Sequence, residues 1–485
     1  MAGGVILEPP KRPRWRPYAL LTPSGRTLRV QTFDVDHVYE QPRDIALALE
    51  RLQGHMVYAP GKLRDFLYVT PATDWCMTTW RSRPVSMTHK PSGVSITSLR
   101  NALNESPTPF AALVETLEWL RGYDVAPGTT SSMAWNLLRA SLHEKVSLSF
   151  DPQISRAAFY GGRQEIWEPN VYNDMKAIDV KAAYPFAMAS EPIALSLREV
   201  SPTSELTTEP GIACAEVFVP LELPYAPLPV RVAPRAIQFQ YHEVKGFWSW
   251  RELLAAKDLG CIVRVKKSYA PRRTYDLFGP WWTMAQSGRA LSPGAADLAK
   301  MITNASWGQF AMEGQNKVEL HFTGRGDLDY VDVEVEGRQL PQRFAKHVAV
   351  EITSRVREKT LREGLYGSAA MVVHVDTDGI IAHASSPLPP NSGEGFGQWR
   401  VKETFEEVEI RAPQLYRYRH GRDPAWHYVA AGMSLDGAAK EFKRRRREKT
   451  KVSYLSEEDV NLPSARSHDV EARESSLEEM ERWAS

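Results

Sequence analysis

The 485-residue chain has only three cysteines, Cys76, Cys214 and Cys261, too far apart in sequence to form a metal-ligand spacing. That scarcity excludes a disulfide framework and points to a reducing compartment such as the cytoplasm. No apolar run is long enough to span a bilayer, and nothing near the start reads as a targeting segment, so no membrane partner is expected. Net charge is lacking too: 60 basic against 59 acidic residues leave +1. The total charge therefore gives no argument for nucleic-acid binding, and any such contact must come from local clusters. What remains is an ordinary globular composition, 43% hydrophobic and 25% charged. The length exceeds a single core and predicts roughly three or four domains or subdomains.

One stretch carries the most chemistry, MVVHVDTDGIIAHA from Met371 to Ala384. An apolar run leads to Asp376 and Asp378, Gly379 frees the backbone, and Ile380 and Ile381 lead away, which predicts strand, tight turn, strand. Two carboxylates at such a tip repel each other, and a divalent cation is the usual neutraliser. A surface hairpin is the competing reading of this stretch alone. A third strand-end carboxylate is Asp179, in AIDVKAAYP (Ala177 to Pro185), with Tyr184 five residues on.

Upstream, Arg29–Phe33 and His55–Ala59 read as strands around a helix Asp44–Leu52, an α/β pattern, with Phe66–Val69 following. Asp34, Asp36 and Asp65 are the carboxylates there. A metal nuclease needs at least three such groups converging, so surface or capping roles are the favoured reading of these. Thr129–Ala140 reads as a capped helix closing this region. Gly161 and Gly162 follow aromatics and precede Arg163, so the backbone can approach a ligand closely and the guanidinium can meet a phosphate; a plain turn fits as well.

Ala295–Phe310 reads as a helix with Lys300, Asn304 and Trp307 on one face, at spacings of four and three, and Arg289 upstream. Cations for phosphates and a ring for a base suit a nucleoside triphosphate. Lys317–Glu336 alternates as a β-hairpin, and His347–Leu361 reads as a helix. Arg411 to Arg419 interleaves arginines with Tyr416 and Tyr418, which suits a nucleic-acid surface as well as an exposed strand. Lys440–Lys451 is strongly basic.

The order of three motifs resembles family B DNA polymerases, closest to the small protein-primed phage and linear-plasmid branch of the viral and organellar type. These are Asp179-Val-Lys-Ala-Ala-Tyr184-Pro185, then Lys300-Met-Ile-Thr-Asn304-Ala-Ser-Trp307-Gly308, then His374-Val-Asp376-Thr377-Asp378. Phe159-Tyr160-Gly161-Gly162 is similar to the linker between that family's exonuclease and polymerase modules. The resemblance covers about Asp151 to Met433.

It implies a mixed α/β and α+β multidomain protein: a right-hand polymerase with palm, fingers and thumb, preceded by a degenerate RNase H-like exonuclease domain. The boundaries expected are 1–149 for that domain, 150–278 for palm with an insertion around 198–273, and 279–316 for fingers. A β-hairpin insertion at 317–339, more palm at 340–410 and a thumb at 411–485 would complete it. The resemblance implies template-directed addition of deoxynucleotides to a primer 3′ end, with two Mg²⁺ or Mn²⁺ ions held by Asp179 and Asp378 and assisted by Asp376. Tyr184, Arg289, Lys300, Asn304 and Trp307 would bind the nucleotide. Gly161, Gly162, Arg163, Arg411, Tyr416 and Arg417 would touch DNA. Partners would be primer–template DNA, deoxynucleoside triphosphates and a priming protein or other replication proteins. Trp307, His374 and Gln414 depart from the family's Tyr, Tyr and Lys. The early Asp-x-Glu of a proofreading module has only Asp34-Val-Asp36 as counterpart, so no 3′–5′ proofreading is expected. A catalytically idle, DNA-binding relative in a replication complex is the alternative; three retained carboxylates argue against it.

Overall fold

The computed structural model describes residues 4–7, 17–24, 26–53, 55–60, 63–80, 83–99, 103, 106–233, 236–312, 316–322, 330–339, 345–368, 371–420, 423–430, 438–439 and 442. Most of the basic stretch Lys440–Lys451, the acidic end of the chain and most of the basic arm near the start lie outside the described residues. The chain divides into two compact units. One comprises Met1–Pro152, Met188–Leu195 and Tyr275–Ala349; the other comprises Gln153–Ala187, Ser196–Thr274 and Val350–Ser485. The linear succession of domains expected from sequence is thus interleaved, and residues 279–339 share a unit with the N-terminal region.

The first unit is built on a nine-stranded sheet. Tyr18–Ser24 runs antiparallel to Thr27–Gln31, which pairs antiparallel with Asp36–Tyr39 at the edge. On its other side Tyr18–Ser24 is parallel to Met56–Ala59, itself parallel to Val94–Ser98. Leu21, Leu28, Ile45, Leu49, Val57, Phe66 and Trp75 form its core. The helix Pro42–Arg51 buries Ile45, Ala48 and Leu49, positions three and four apart, as an amphipathic helix must. Phe66–Val69 is not a strand: Leu63–Tyr68 winds as a 3₁₀ turn. The expected hairpin forms from Asn316–Phe322 and Tyr330–Gln339. Its first strand pairs with Trp75–Trp80, so the hairpin extends the N-terminal sheet.

Three helices of this unit pack together, Pro109–Arg121, Thr130–Ala140 and Pro293–Gly308. The second begins as predicted, with Thr129 Oγ1 accepting from the Ser132 amide at 3.1 Å. Pro293 begins the third, where its lost N–H is not needed.

The second unit holds a seven-stranded sheet in the order Arg163–Ile166, Val372–Thr377, Gly379–His383, Val171–Val180, Trp399–Ala412, Leu415–His420 and Asp423–Ala430. Met175, Val373, Ile381, Phe405, Val408 and Ile410 form the core on this sheet. A second sheet region contains the strands Ile212–Val219, His242–Ser249 and Ile262–Tyr275. The strand Pro229–Ala233 pairs with Ala236–Phe239. A buried ion pair, Arg357 Nε to Glu252 Oε1 at 2.8 Å, ties the helix Lys346–Lys359 to the helix Trp250–Asp258. Among the described residues no helix is long and apolar enough to cross a membrane.

Candidate active site

The three carboxylates singled out in the sequence come together on the seven-stranded sheet. Gly379 pairs with Asp376 on one side and with Asp179 on the other, so the three positions form one row across three strands. Cross-strand partners project to the same face, and two strand spacings separate Asp376 from Asp179 by about 10 Å between backbones. Gly379 leaves the space between them open. A Cβ there would lie 3.3 Å from the Ile178 carbonyl and 3.6 Å from the Asp179 Cβ.

Asp378 occupies the tip between the strands, and its carbonyl accepts from the Val180 amide at 3.0 Å. Burial pushes its carboxyl up to about 6, with the charges of Asp179 and Asp376 adding to the rise. Thr377, beside it, has φ +63°, a left-handed conformation that a β-branched residue rarely adopts. The turn is held from outside: Thr360 Oγ1 donates to the Thr377 carbonyl at 3.1 Å. Gly162 packs so closely that a Cβ there would lie 2.6 Å from Thr377 Cγ2.

Each carboxylate has its own partners. Arg400 lies opposite Asp179 on the neighbouring strand and its Nε donates to Asp179 Oδ1 at 3.1 Å. Asp376 Oδ1 accepts from Gln414 Nε2 at 2.9 Å, Thr377 Oγ1 at 3.2 Å and Gln164 Nε2 at 3.3 Å. Arg400 and Gln164 were not legible as site residues. Only the strand register places them beside the carboxylates, and neither lies in a recognisable motif.

Tyr184 lies on the short helix Ala183–Ala189, which starts just after the strand that carries Asp179. Burial first, then the charge of Asp378, raises its hydroxyl above the ordinary tyrosine range, so it stays protonated.

Among the described residues no three His, Cys, Asp or Glu side chains are gathered closely enough to hold a metal ion. The donor chemistry of the row nevertheless suits a divalent cation. Its oxygens are hard, and the carboxyl of Asp378, raised by burial first and then by the charge of Asp179, is one whose ionised form a cation would stabilise.

In the first unit, Lys300 and Asn304 are exposed and Trp307 is half-buried on the helix Pro293–Gly308, whose opposite face buries Leu298, Ala299, Ile302 and Ser306. Arg289 ends the preceding helix, and its Nη2 donates to Asn304 Oδ1 at 3.1 Å. The expected cation, amide and ring therefore share one surface of the unit.

The expected DNA-contacting arginines are placed differently. Arg163 is 1% exposed, donates to Glu165 and to the Ala226 carbonyl, and stacks on Phe239, so its guanidinium faces the interior and not a phosphate. Arg411 and Arg417 both pair with Glu409, and Arg417 also lies 4.0 Å over Trp426. Alternation along the strand puts Tyr416 on the other face, against His374 at 5.4 Å. Gly161 and its neighbour Tyr160 are anchored through their carbonyls by Arg357 Nη1. Asp36 is spent on Arg29 at an exposed sheet edge, Asp34 sits in a turn capped by Thr32, and the side chain of Asp65 lies outside the described residues.

A strand-end aspartate opposite a carboxylate hairpin, on an antiparallel sheet flanked by short helices, is the palm arrangement of a right-hand nucleotide polymerase. Residues 126–338 match the family model described as DNA polymerase type B, organellar and viral. The chain is 26% identical over 318 residues to the DNA-directed DNA polymerase of Enterobacteria phage PRD1, covering 60% of this chain and 55% of that one. It thus spans about half the length of that relative. Phi29 DNA polymerase in an orthorhombic crystal form superimposes with a TM-score of 0.62 at 12% identity, covering 87% of this chain and 94% of that one. The phi29 enzyme complexed with primer–template DNA and incoming nucleotide substrates gives 0.63 at 12% identity, over 88% and 94%. Over residues 126–338 the chain is thus similar to the viral and organellar type B DNA polymerases, and it shares the fold of the phi29 enzyme.

Proposed function

We propose that this chain is a DNA-directed DNA polymerase that adds deoxynucleotides to a primer 3′ end and does not proofread. The observation that carries the reading is the row Asp376–Gly379–Asp179 with Asp378 at its tip, which concentrates carboxylate charge on one sheet face. Asp179 and Asp378 would hold two divalent cations. Those cations, when bound, would lower the pKa of the primer hydroxyl and offset charge on the transferred phosphoryl group. Asp376 orients the turn that presents Asp378. Tyr184, protonated and held beside the carboxylates, packs under the sugar and leaves little room for a 2′-hydroxyl. Lys300, with Arg289 and Asn304, binds the triphosphate, and Trp307 meets the base. Tyr416 and the Gly161–Gly162 backbone contact primer–template DNA, the ligand carried by a phi29 relative.

The N-terminal sheet order, an antiparallel meander followed by two parallel strands, supports a degenerate RNase H-like domain. The strand Tyr18–Ser24, where the meander meets the parallel strands, has no carboxylate. In a test, the protein is given a primed template, deoxynucleotides and Mg²⁺ or Mn²⁺. Extension by the wild type, lost in Asp378→Ala, is expected. Absence of extension by the wild type favours an idle DNA-binding relative. Metal-dependent removal of a mismatched 3′ end overturns the non-proofreading part. The same reaction without a primer, and with a candidate priming protein, separates modes of initiation.

A further inference from the structure

Seven non-glycine residues among those described have a positive φ, and two of them, Thr377 at +63° and Gln414 at +57°, donate to the same oxygen, Asp376 Oδ1. Such conformations cost stability and persist where the surroundings enforce them, often at functional sites. Gln414 sits in the two-residue turn between the strands Trp399–Ala412 and Leu415–His420, whose closing pair is Ala412 with Leu415. Glycine would suit that turn better. The side chain instead leaves its own hairpin and reaches the carboxylate hairpin at 2.9 Å. A third donor, Gln164, comes from the opposite side, in direct register with Asp376 on the neighbouring strand. Three chain segments thus converge on one oxygen, and both outside donors are neutral amides.

We propose that Gln414, seconded by Gln164, is a positioning residue that fixes Asp376 through Oδ1, so that Asp376 sets the geometry of the Thr377–Asp378 turn and does not itself bind cation through that oxygen. An amide suits this task because it orients a carboxylate without neutralising it, leaving the negative charge on the row intact. A cationic side chain in the same turn would form an ion pair with Asp376 and cancel part of that charge. The proposal rests on the polymerase reading above and assigns a role within the same site.

Gln414→Gly separates positioning from simple structural support, because it relieves the left-handed backbone while deleting the amide. The expected result is a Tm equal to or above that of the wild type, together with kcat for primer extension lowered at least about tenfold. KM for deoxynucleotide should stay within about twofold, since the triphosphate-binding side chains are elsewhere. Gln414→Glu, of the same shape but without a donor, should fall below Gln414→Gly in kcat, and Gln164→Ala should show a smaller loss in the same direction. A readout independent of turnover is Mn²⁺ binding followed calorimetrically: it should survive in Asp376→Asn, which keeps an Oδ1 acceptor, and be lost in Asp378→Asn. Wild-type extension with unchanged kcat in Gln414→Gly overturns the positioning role and leaves the polymerase reading standing. Loss of Mn²⁺ binding in Asp376→Asn equal to that in Asp378→Asn overturns the assignment of Asp376. If the wild type extends no primer, the reading and this proposal fall together.

Discussion

Arg400 Nε donates to Asp179 Oδ1 at 3.1 Å across the pair of strands that carries both residues. The guanidinium occupies one of the two carboxylates proposed to hold cation, so it competes with any metal there. Arg400 is about one-third exposed, and an ion pair of that kind contributes at most about 1 kcal/mol. Arg400→Gln should therefore tighten Mn²⁺ binding by no more than about fivefold. Isothermal titration with Mn²⁺ reads this directly, and weaker binding by the variant would show that Arg400 supports the site.

The raised carboxyl of Asp378 makes a signed prediction. Its ordinary value of 3.8 becomes about 6 in the folded chain. The folded state then holds this proton more tightly than the unfolded state. The resulting cost is absent below the ordinary value, grows as pH rises to about 6, and is complete above it. It amounts to about 3 kcal/mol. Asp378→Asn should accordingly raise Tm at pH 7.5 in chelator, and added Mn²⁺ should raise the Tm of the wild type but not of the variant. Equal metal response in both proteins would count against cation binding at Asp378.

Two buried histidines act in the other direction. Burial lowers His347 and His374 from 6.5 to about 4. Each is held neutral in the fold, so its contribution is fully present above pH 6.5 and is lost as pH falls toward 4. Each is worth about 3 kcal/mol, and together they exceed the opposing effect of Asp378 over the same range. Urea midpoints measured at pH 7 and pH 5 should fall with acidification. His347→Gln should flatten that dependence; an unchanged slope would remove His347 from the account.

Gly162 should tolerate no side chain while Thr377 stands beside it. An added Cβ would lie 2.6 Å from Thr377 Cγ2 and 2.8 Å from Oγ1, and the branched side chain of Thr377 has little freedom to retreat. Gly162→Ala should cost about 1–3 kcal/mol in denaturant unfolding. The double variant with Thr377→Gly should recover most of that loss; additive losses would mean the strain lies elsewhere.

Much of the candidate site was readable from local pattern. The apolar runs through Val372–Thr377 and Gly379–His383, broken by a turn, dictate a hairpin with Asp376 and Asp378 at its end. Spacings of four and three put Lys300, Asn304 and Trp307 on one helical face, because a helix repeats every 3.6 residues. These are short-range consequences of backbone geometry, and the sequence by itself determined them, along with the order of motifs on which the polymerase resemblance rests.

Only the tertiary structure decided which residues serve those motifs. Gln164 and Gln414 lie 212 and 38 residues from Asp376, and Arg400 lies 221 from Asp179; strand register and turn direction, not spacing, bring them together. The fold also turned Arg163 inward, onto the Ala226 carbonyl 63 residues away, and the hairpin set Arg411 and Arg417 against Glu409, because a charged group in a low-dielectric environment must find a counter-charge or a polar partner. A sequence displays an arginine's charge. Whether that charge is left for a ligand depends on which carboxylate the fold places beside it.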